Sequence, residues 1–362
     1  MERIERQLMG KTSPAIIIIL APLPLYDSAN HRPMKILTLL ICLTLATLIP
    51  ITAFSANSTC HSSSKDTICL ADPTIFKDNG RYYLYGTGSS DGIWVYQSPD
   101  LKNWTGPVGK RNGHALLRGD SYGTKGFWAP QVFKRNGRYY MAYTADEHIA
   151  IAESDNPLGP FTQKVFKSVS GEGKQIDPYI FEDTDGSLYL YHVRLQNGNR
   201  IFVARLKNDL SDIEENAVKE CISGQESWEN TQNAKWPVTE GPTVMKHNNL
   251  YYLFYSANDF RNIDYAVGYA TAKSPMGPWT KYPGNPILNR ALIGQNGTGH
   301  GDFFTDNSGR LYYVFHTHHT NRMVGKRKTA IIKAAFSRKS PNTLIMDKNS
   351  FYFLESGRDS TR

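Results

Sequence analysis

Three acidic residues of this 362-residue chain precede apolar segments of similar sequence. They are Asp72 in LADPTIF, Asp177 in QIDPYIF and Glu240 in VTEGPTV. If these segments pack around one axis, carboxyl groups from distant parts of the chain meet at one end of that axis, which we call the mouth. Such a group can cleave a glycosidic bond, because one carboxylate accepts a proton from water while a second, protonated carboxyl group donates one to the leaving oxygen.

The acids belong to a repeat that would position them. Each apolar segment leads through a polar turn into a tyrosine-rich segment, and further copies occur at residues 129–133 and 301–304. The five copies are spaced by roughly 50–65 residues, a period typical of propellers and solenoids. Four of the turns are dipeptides that tolerate positive φ and so favour hairpins. These are Asn79-Gly80, Asn136-Gly137, Asp185-Gly186 and Ser308-Gly309.

Each copy continues with another strand-like segment and a second turn, as at residues 93–101, 149–161 and 267–279. Four short antiparallel strands per unit form the blade of a propeller. The sequence therefore predicts an all-β fold, a five-bladed β-propeller with four antiparallel strands per blade. A two-sheet sandwich is the alternative, but the units carry no strand-swapping signature.

Residues 1–56 have the pattern of an export leader. Met34 and Lys35 precede an apolar stretch, and small residues at 53–56 follow it, as in a secretory signal peptide. The pattern predicts a start at Met34, a secreted or periplasmic protein, and a single propeller domain over residues 57–362. A retained membrane anchor is the alternative. It is disfavoured because the apolar stretch is short for a span and Pro50 interrupts its end, so no stable span is expected after leader removal.

The cysteines and the net charge indicate whether the protein has a disulfide, a zinc site or a nucleic-acid partner. Cys60 and Cys69 either form a disulfide just before Asp72, in an oxidising compartment, or remain thiols. No cysteine or histidine group has zinc-site spacing. The net charge is +8, with a basic run at residues 326–328. No recognition helix or stacking ladder accompanies this run, so we interpret it as a solvated face and predict no nucleic-acid partner.

The three acidic motifs, in this order, resemble those of glycoside hydrolase family 43, and the resemblance extends from about residue 70 to about residue 336. It implies a five-bladed propeller and an inverting enzyme of the arabinofuranosidase, xylosidase or arabinanase group. It implies that Asp72 is the general base and Glu240 the general acid. Asp177 would raise the pKa of the acid and orient it, since a nearby like charge disfavours ionisation.

The same resemblance suggests further site residues. Trp128 is similar to an aromatic residue that packs against the sugar, and Arg261 is a candidate for contact with a sugar hydroxyl. His300 is similar to a central histidine that contacts the sugar or helps to hold a calcium-linked water, so bound Ca²⁺ is a further expectation, although no cofactor is required. Strand alternation sends neighbours to opposite faces, so His316, His318 and His319 are expected to be structural.

The expected activity is that of an exo-acting, inverting hydrolase that releases α-L-arabinofuranose or β-xylose from plant cell-wall polysaccharide or its oligosaccharides. An endo-arabinanase of the same family and a non-catalytic glycan-binding propeller are the alternatives. A retaining fructan or sucrose hydrolase would need an Asn-Asp-Pro start, whereas Ala71 precedes Asp72 here. A sialidase is disfavoured because the segment from Ser98 to Trp104 does not fit the spacing of an Asp-box.

Overall fold

Tyrosine-rich antiparallel strands account for most of the chain that the computed structural model describes, residues 65–357 without 170, 172 and 215–217. β1 (Lys65–Thr67) precedes the first blade, which contains β2 (Ala71–Asp78), β3 (Arg81–Thr87), β4 (Gly92–Ser98) and β5 (His114–Leu117). The second blade contains β6 (Trp128–Arg135), β7 (Arg138–Ala145) and β8 (His148–Ser154). The third contains β9 (Gln175–Glu182), β10 (Leu188–Leu195), β11 (Asn199–Leu206) and β12 (Lys219–Ile222).

The remaining elements complete a ring of five sheets. The fourth blade contains β13 (Thr239–His247), β14 (Leu250–Ala257), β15 (Ala266–Ala272) and β16 (Thr280–Lys281). The fifth contains β17 (Gly299–Thr305), β18 (Leu311–Thr317), β19 (Lys328–Phe336) and β20 (Leu344–Phe353), and β21 (Glu355–Gly357) follows. A 3₁₀ helix (Ser227–Glu229) and the short helix α1 (Arg290–Ile293) lie in the connections around the fourth blade.

Within each blade the strands pair antiparallel in chain order, and β2, β6, β9, β13 and β17 are the innermost. The prediction of a five-bladed β-propeller is therefore confirmed. In the second blade the fourth strand is reduced to a bridge between Glu153 and Thr162. The predicted turns form as expected, since Asn79 and Gly80 adopt φ of 49° and 75° between β2 and β3.

All five innermost strands carry a bulge at the same end. The residue at the bulge has positive φ in every blade, and the register of the ladder shifts there. These residues are Asp72 (49°), Ala129 (44°), Asp177 (56°), Gly241 (59°) and His300 (43°). A bulge re-aims side chains away from the regular alternation of a strand. Here the five bulge residues, one from each blade, all line the same small cavity.

The axis is narrow below these bulges. Three consecutive residues of each innermost strand line a small cavity, at 72–74, 129–131, 177–179, 241–243 and 300–302. Hydrogen bonds cross it: the Thr74 hydroxyl donates to Asp302 at 2.7 Å, and the Thr243 hydroxyl donates to the carbonyl of Gly301 at 2.8 Å. Because buried polar groups bonded across blades resist displacement, they hold the strand ends in a fixed arrangement.

The two ends of the described chain close the ring. β1 pairs antiparallel with β21, and the backbone N–H of Ile68 donates to the carbonyl of Leu354 at 2.9 Å. The Thr329 hydroxyl of the fifth blade donates to the carbonyl of Leu70 and accepts from its N–H. The first and fifth blades are thus joined by backbone pairing as well as by packing.

The predicted leader, residues 1–56, and Cys60 lie outside the described residues, so export and the disulfide between Cys60 and Cys69 remain predictions. Over the described ranges, no helix has the length and apolar character needed to cross a membrane.

Candidate active site

The bulged ends of β2, β9 and β13 bring the three predicted acids together. Asp72, Asp177 and Glu240 are 8%, 6% and 8% exposed, although their motifs are far apart in sequence. The ring of His300 lies between two of them, with Nδ1 3.4 Å from Asp72 Oδ1 and 3.9 Å from Asp177 Oδ2. The structure therefore forms the cluster of carboxyl groups that the sequence predicts.

Asp72 is held as a carboxylate. Burial is the largest single influence and raises its pKa, and the guanidinium of Arg327, whose Nη1 donates to Oδ1 at 3.0 Å, is the largest opposing one. The rings of His300 and His316 and a hydrogen bond from Thr87 also lower the pKa, and together these groups outweigh burial. The hydroxyl of Thr87 donates to Oδ2 at 2.7 Å. The net effect keeps the pKa of Asp72 below its usual range, so the group is ionised near neutral pH and can accept a proton.

Glu240 has the opposite character. Burial, and then the negative charge of Asp72, raise its pKa to about 7. Two neutral donors limit the rise: the Tyr265 hydroxyl donates to Oε1 at 2.8 Å and the Asn199 amide donates to Oε2 at 3.1 Å. A substantial fraction of Glu240 is therefore protonated at neutral pH, as a proton donor must be.

Asp177 is the third buried acid of the cluster, and its pKa is shifted in the same direction as that of Glu240. Burial raises its pKa well above the usual range, and the charges of Glu240 and Asp72 raise it further. The backbone N–H of Gly241 donates to its Oδ2 at 3.2 Å and favours the charged form. Because Asp177 and Glu240 disfavour ionisation of each other, the ionisation state of one controls the pKa of the other.

The register of the bulges separates Glu240 from the two aspartates. Asp72 and Asp177 occupy the positive-φ position itself, whereas in β13 that position is Gly241 and the acid stands one residue earlier. A Cβ atom at Gly241 would lie 2.8 Å from the ring of His300, so the glycine leaves room for that ring. The three acids thus occupy similar places in the repeat but are not equivalent by register.

The other predicted residues have different positions. Trp128 occupies in β6 the register position that Glu240 occupies in β13, and at 38% exposure its indole is accessible. His300 is buried between two acids. The guanidinium of Arg261 is largely exposed and binds Asp259 through two contacts of 2.7 and 2.6 Å. The hydrogen bond and charge of Asp259, and then the charge of Glu240, raise the pKa of Arg261, so contact with a sugar stays a prediction.

Arg327 is the main residue that the sequence interpretation missed. The basic run at 326–328 is interpreted above as a solvated face, and for Arg327 this is wrong. Its side chain is 16% exposed, its guanidinium lies 4.4 Å from the ring centroid of Phe260, and it binds Asp72. Nothing local distinguishes it from the flanking lysines, because the partner lies 255 residues away in sequence.

His316 also differs from expectation. Its ring is fully buried and stacks on Tyr265 with centroids 5.7 Å apart, and Nδ1 accepts a hydrogen bond from the backbone N–H of Asp72 at 3.1 Å. It therefore supports the site directly. His318 and His319 instead bind the backbone carbonyls of Phe260 and Lys326, as expected of structural residues.

The surroundings of His300 offer little to a hard cation. The carboxylates of Asp72 and Asp177 beside it already accept hydrogen bonds from Arg327 and Gly241, and a cation there would face the Arg327 guanidinium. Within the described part of the chain, no group of three or more His, Cys, Asp or Glu residues is placed to hold a metal ion. Bound Ca²⁺ therefore stays a prediction from resemblance alone.

Known proteins share both this sequence pattern and this fold. The sequence profile of Glycosyl hydrolases family 43 matches residues 67–339. A crystal structure of an endo-1,4-beta-xylanase from Bacteroides thetaiotaomicron VPI-5482 is 40% identical, with a TM-score of 0.76, over 82% of this chain and 100% of that chain. A beta-D-galactofuranosidase (xynD) of Aspergillus niger is 27% identical over 274 residues, 69% of this chain and 74% of its own length.

A third relative is the extracellular endo-alpha-(1->5)-L-arabinanase 1 of Bacillus subtilis, which is 27% identical over 241 residues, 60% of this chain and 70% of its own length. The family match covers all five innermost strands and the three acids described above. The chain, with its converging carboxyl groups at the mouth of a five-bladed propeller, therefore belongs to glycosyl hydrolase family 43 and is a glycoside hydrolase.

Proposed function

We propose that the protein is an inverting, exo-acting hydrolase that releases pentose units from xylan- or arabinan-type plant polysaccharide and its oligosaccharides. The observation that carries this proposal is the opposite protonation of two carboxyl groups in one mouth. Arg327 and the other groups around Asp72 keep that residue ionised. Burial and the charge of Asp72 raise the pKa of Glu240 to about 7, so a substantial fraction of Glu240 is protonated at neutral pH. This is the base and acid pair that single-step displacement by water requires.

Asp72 takes the role of base in this mechanism. Both of its oxygens accept a hydrogen bond, from Arg327 and from Thr87. These bonds lower its reactivity toward carbon but leave a lone pair for the proton of a water molecule. Glu240 protonates the leaving oxygen, and the carboxylate that results is stabilised by the donors Tyr265 and Asn199. Asp177 tunes the pKa of Glu240 through its charge.

The relatives and the burial of the acids support the proposed substrate class and the exo mode. The relatives described above include a xylanase, an arabinanase and a galactofuranosidase, so pentosides and furanosides are the substrates to test first. The acids are at most 8% exposed. A recessed site admits a chain end more readily than the middle of a chain, which favours exo action. An endo-arabinanase is the second candidate, because the Bacillus subtilis relative described above is an endo-arabinanase.

Hydrolysis of a panel of substrates tests the proposal. It contains aryl α-L-arabinofuranosides, β-xylosides and β-D-galactofuranosides, together with linear arabinan and xylan, and products are sized. We expect single pentoses as the first products, and proton NMR should show the anomer opposite to that of the substrate. Early oligosaccharide products would instead establish endo action. Retention of the anomer would disprove the mechanism, and binding without turnover would indicate a glycan-binding propeller.

Export and calcium are proposed separately from catalysis. N-terminal sequencing of the native protein should find a start near residue 56 or 57, and an intact Met34 in a cytoplasmic protein would contradict export. If an ion near His300 is structural, exhaustive chelation should lower the melting temperature. Unchanged melting and full activity would contradict calcium binding.

A further inference from the structure

An exposed tryptophan lies two hydrogen bonds away from Glu240. Trp236 stands in the connection between β12 and β13, with 47% of its surface exposed. Its indole N–H donates to Asn199 Oδ1 at 2.9 Å. A large aromatic side chain left half open beside a cluster of buried acids is available for contact with a ligand, because tryptophan offers an extended apolar face together with one polar group.

Asn199 links this tryptophan to the acid. The amide Nδ2 of Asn199 donates to Glu240 Oε2 at 3.1 Å, while its Oδ1 accepts from the indole. Because an indole N–H can only donate, the amide oxygen must face Trp236 and the NH₂ group must face Glu240. Trp236 therefore sets which end of the amide meets the carboxyl group.

The backbone around Asn199 is held as firmly as its side chain. Its N–H donates to the carbonyl of Pro237 at 2.9 Å, and its own carbonyl accepts from the hydroxyl of Thr239 at 3.0 Å. These contacts join the start of β11 to the segment that carries both Trp236 and Glu240. A displacement of the indole would therefore be transmitted to the acid through a short, rigid path.

The proposed mechanism indicates which part of the substrate would lie near Trp236. Glu240 protonates the leaving oxygen, so the leaving sugar lies next to its carboxyl group. The Asn199 and Trp236 path extends from Oε2 of that group, whereas the contacts of Asp72 with Arg327 and His316 extend toward the fifth blade. Trp236 thus lies on the side of the acid rather than on that of the base.

We propose that Trp236 forms a binding subsite for the leaving-group sugar and, through Asn199, positions the carboxyl group of Glu240 on the bond to be broken. The ligand is a neutral sugar ring of a polysaccharide or oligosaccharide, whose C–H face stacks on the exposed face of the indole. This inference rests on the proposed function and adds to it a site for the part of the substrate that departs. Trp236 acts on the chemistry as a positioning residue, not as a proton donor.

Two substitutions separate the two roles. Trp236→Ala removes the ring and the donor, and Trp236→Phe keeps a ring but removes the N–H. Activity is compared on xylo- and arabino-oligosaccharides and on the corresponding pentosyl fluoride, which has no sugar on the leaving side. We expect Trp236→Ala to lower kcat/KM on oligosaccharides by about tenfold and to change it on the fluoride by less than about twofold.

The pH profile of Trp236→Phe tests whether Trp236 positions the carboxyl group of Glu240. Without the indole donor the Asn199 amide is free to turn, and the Glu240 carboxylate loses a hydrogen bond that lowers its pKa. The basic limb of kcat/KM should then move to higher pH, while KM for oligosaccharides should stay within about twofold of that of the wild type. A merely structural role of the ring would not move this limb.

Phe166→Ala is the matched control, because Phe166 is 53% exposed and makes none of the contacts described around the acids. It should leave both activities and the pH profile unchanged. An equal loss on oligosaccharides and fluoride in Trp236→Ala, or no loss on either, would disprove the subsite. Failure of the wild-type protein to hydrolyse any pentoside would instead contradict the proposed function itself, so the two failures are distinguishable.

Discussion

Asp72 and Glu240 have pKa shifts of opposite sign although both carboxyl groups are buried in the same mouth. The difference lies in their partners. Asp72 has a guanidinium at 3.0 Å, whereas the donors to Glu240 are a hydroxyl and an amide without charge. The full charge of Arg327, together with the histidine rings beside Asp72, outweighs the effect of burial on the pKa, whereas the neutral hydrogen bonds to Glu240 offset it only in part.

Replacement of Asp72 and replacement of Glu240 should therefore affect the hydrolysis of different substrates to different extents. We expect Asp72→Asn to lower kcat by about 10²–10⁴-fold on every substrate, since an amide does not take the proton of water. Glu240→Gln should cost as much on oligosaccharides but far less on a pentosyl fluoride, because fluoride leaves without full protonation. Steady-state kinetics on both substrates checks this. Near-wild-type activity of the Asp72 variant would refute its role as base.

The pH profile of kcat/KM offers a test in which two variants should shift the basic limb in opposite directions. In the proposed mechanism Glu240 acts in its protonated form, and because its pKa is about 7, kcat/KM should fall as pH rises through about 7. Asp177→Asn removes the mutual repulsion between the carboxylates of Asp177 and Glu240, so we expect the pKa of Glu240 to fall and the basic limb to move to lower pH. Tyr265→Phe removes a donor to the carboxylate and should move it to higher pH. Shifts of both variants in one direction would contradict this assignment of the limb.

Local sequence was sufficient to predict the three acids, because each lies in a short motif before an apolar strand. It was insufficient for Arg327 and Tyr265. Arg327 reaches Asp72 only after the fifth blade has packed against the first, and Tyr265 reaches Glu240 from the loop between β14 and β15. Contacts made by closure of a ring leave no periodic signal in one sequence.

At the scale of strands, the bulges show a regular bonding pattern with one exception. The N–H of the bulge residue donates to the side chain at the end of the second strand of the preceding blade. The pairs are Ala129 with Thr87, Asp177 with Thr144, His300 with Ser256 and Asp72 with His316. In the third blade the corresponding residue is Val193, which cannot accept, and the N–H of Gly241 donates to Asp177 instead.

This exception predicts the effect of Val193→Thr. The new hydroxyl should accept from Gly241, as Thr87 and Thr144 do from their partners, and Asp177 would lose its backbone donor. Its pKa should rise, its negative charge should be lost at higher pH, and the basic limb set by Glu240 should move to lower pH. Val193→Ala adds no acceptor and serves as the control, with lower stability but an unchanged profile. An unchanged profile in Val193→Thr would disprove the exchange of partners.

Strand alternation and turn dipeptides were enough to predict the strands and their hairpins. They were not enough to predict which residue of each innermost strand occupies the bulge. The inserted residue is defined by the register of two paired strands, which a single strand does not contain. For this reason the sequence places Glu240 among equivalent acids, whereas the structure shifts it by one residue relative to Asp72 and Asp177. The same information was missing for His316, which alternation alone assigns to the packing.

At the scale of the whole molecule, hairpin aspartates join neighbouring blades on the side opposite the acids. Asp183 in the third blade accepts from the Tyr251 hydroxyl at 2.5 Å and from Lys246 at 2.8 Å in the fourth. Asp78 in the first blade accepts in the same way from Tyr139 and Lys134 in the second.

Tyr251→Phe should therefore lower the free energy of unfolding by about 1 kcal/mol, the usual net contribution of one such hydrogen bond. Urea denaturation measures the change, and Tyr139→Phe should give a similar value at the equivalent contact. Neither variant should alter kcat, since both tyrosines lie far from the mouth along the strands. A loss of activity without a loss of stability would contradict a purely inter-blade role.

The five blades follow from the repeat, whereas the reduced fourth strand of the second blade does not. Residues 155–161 continue the pattern seen elsewhere, yet only Glu153 and Thr162 pair there. Whether an outer strand forms depends on the lengths of loops that pack outside the ring, and the repeat carries no information about them.

The way the ring closes also predicts which part of the molecule unfolds first on heating. The seam between the fifth and first blades contains the short β1 and β21 pair, and the Arg327 and Asp72 contact crosses the same boundary. Short pairs at chain ends open with less free energy than central sheets. On slow heating, enzymatic activity should therefore disappear several degrees before the far-ultraviolet circular dichroism of the strands, and a covalent bridge across this seam should bring the two transitions together.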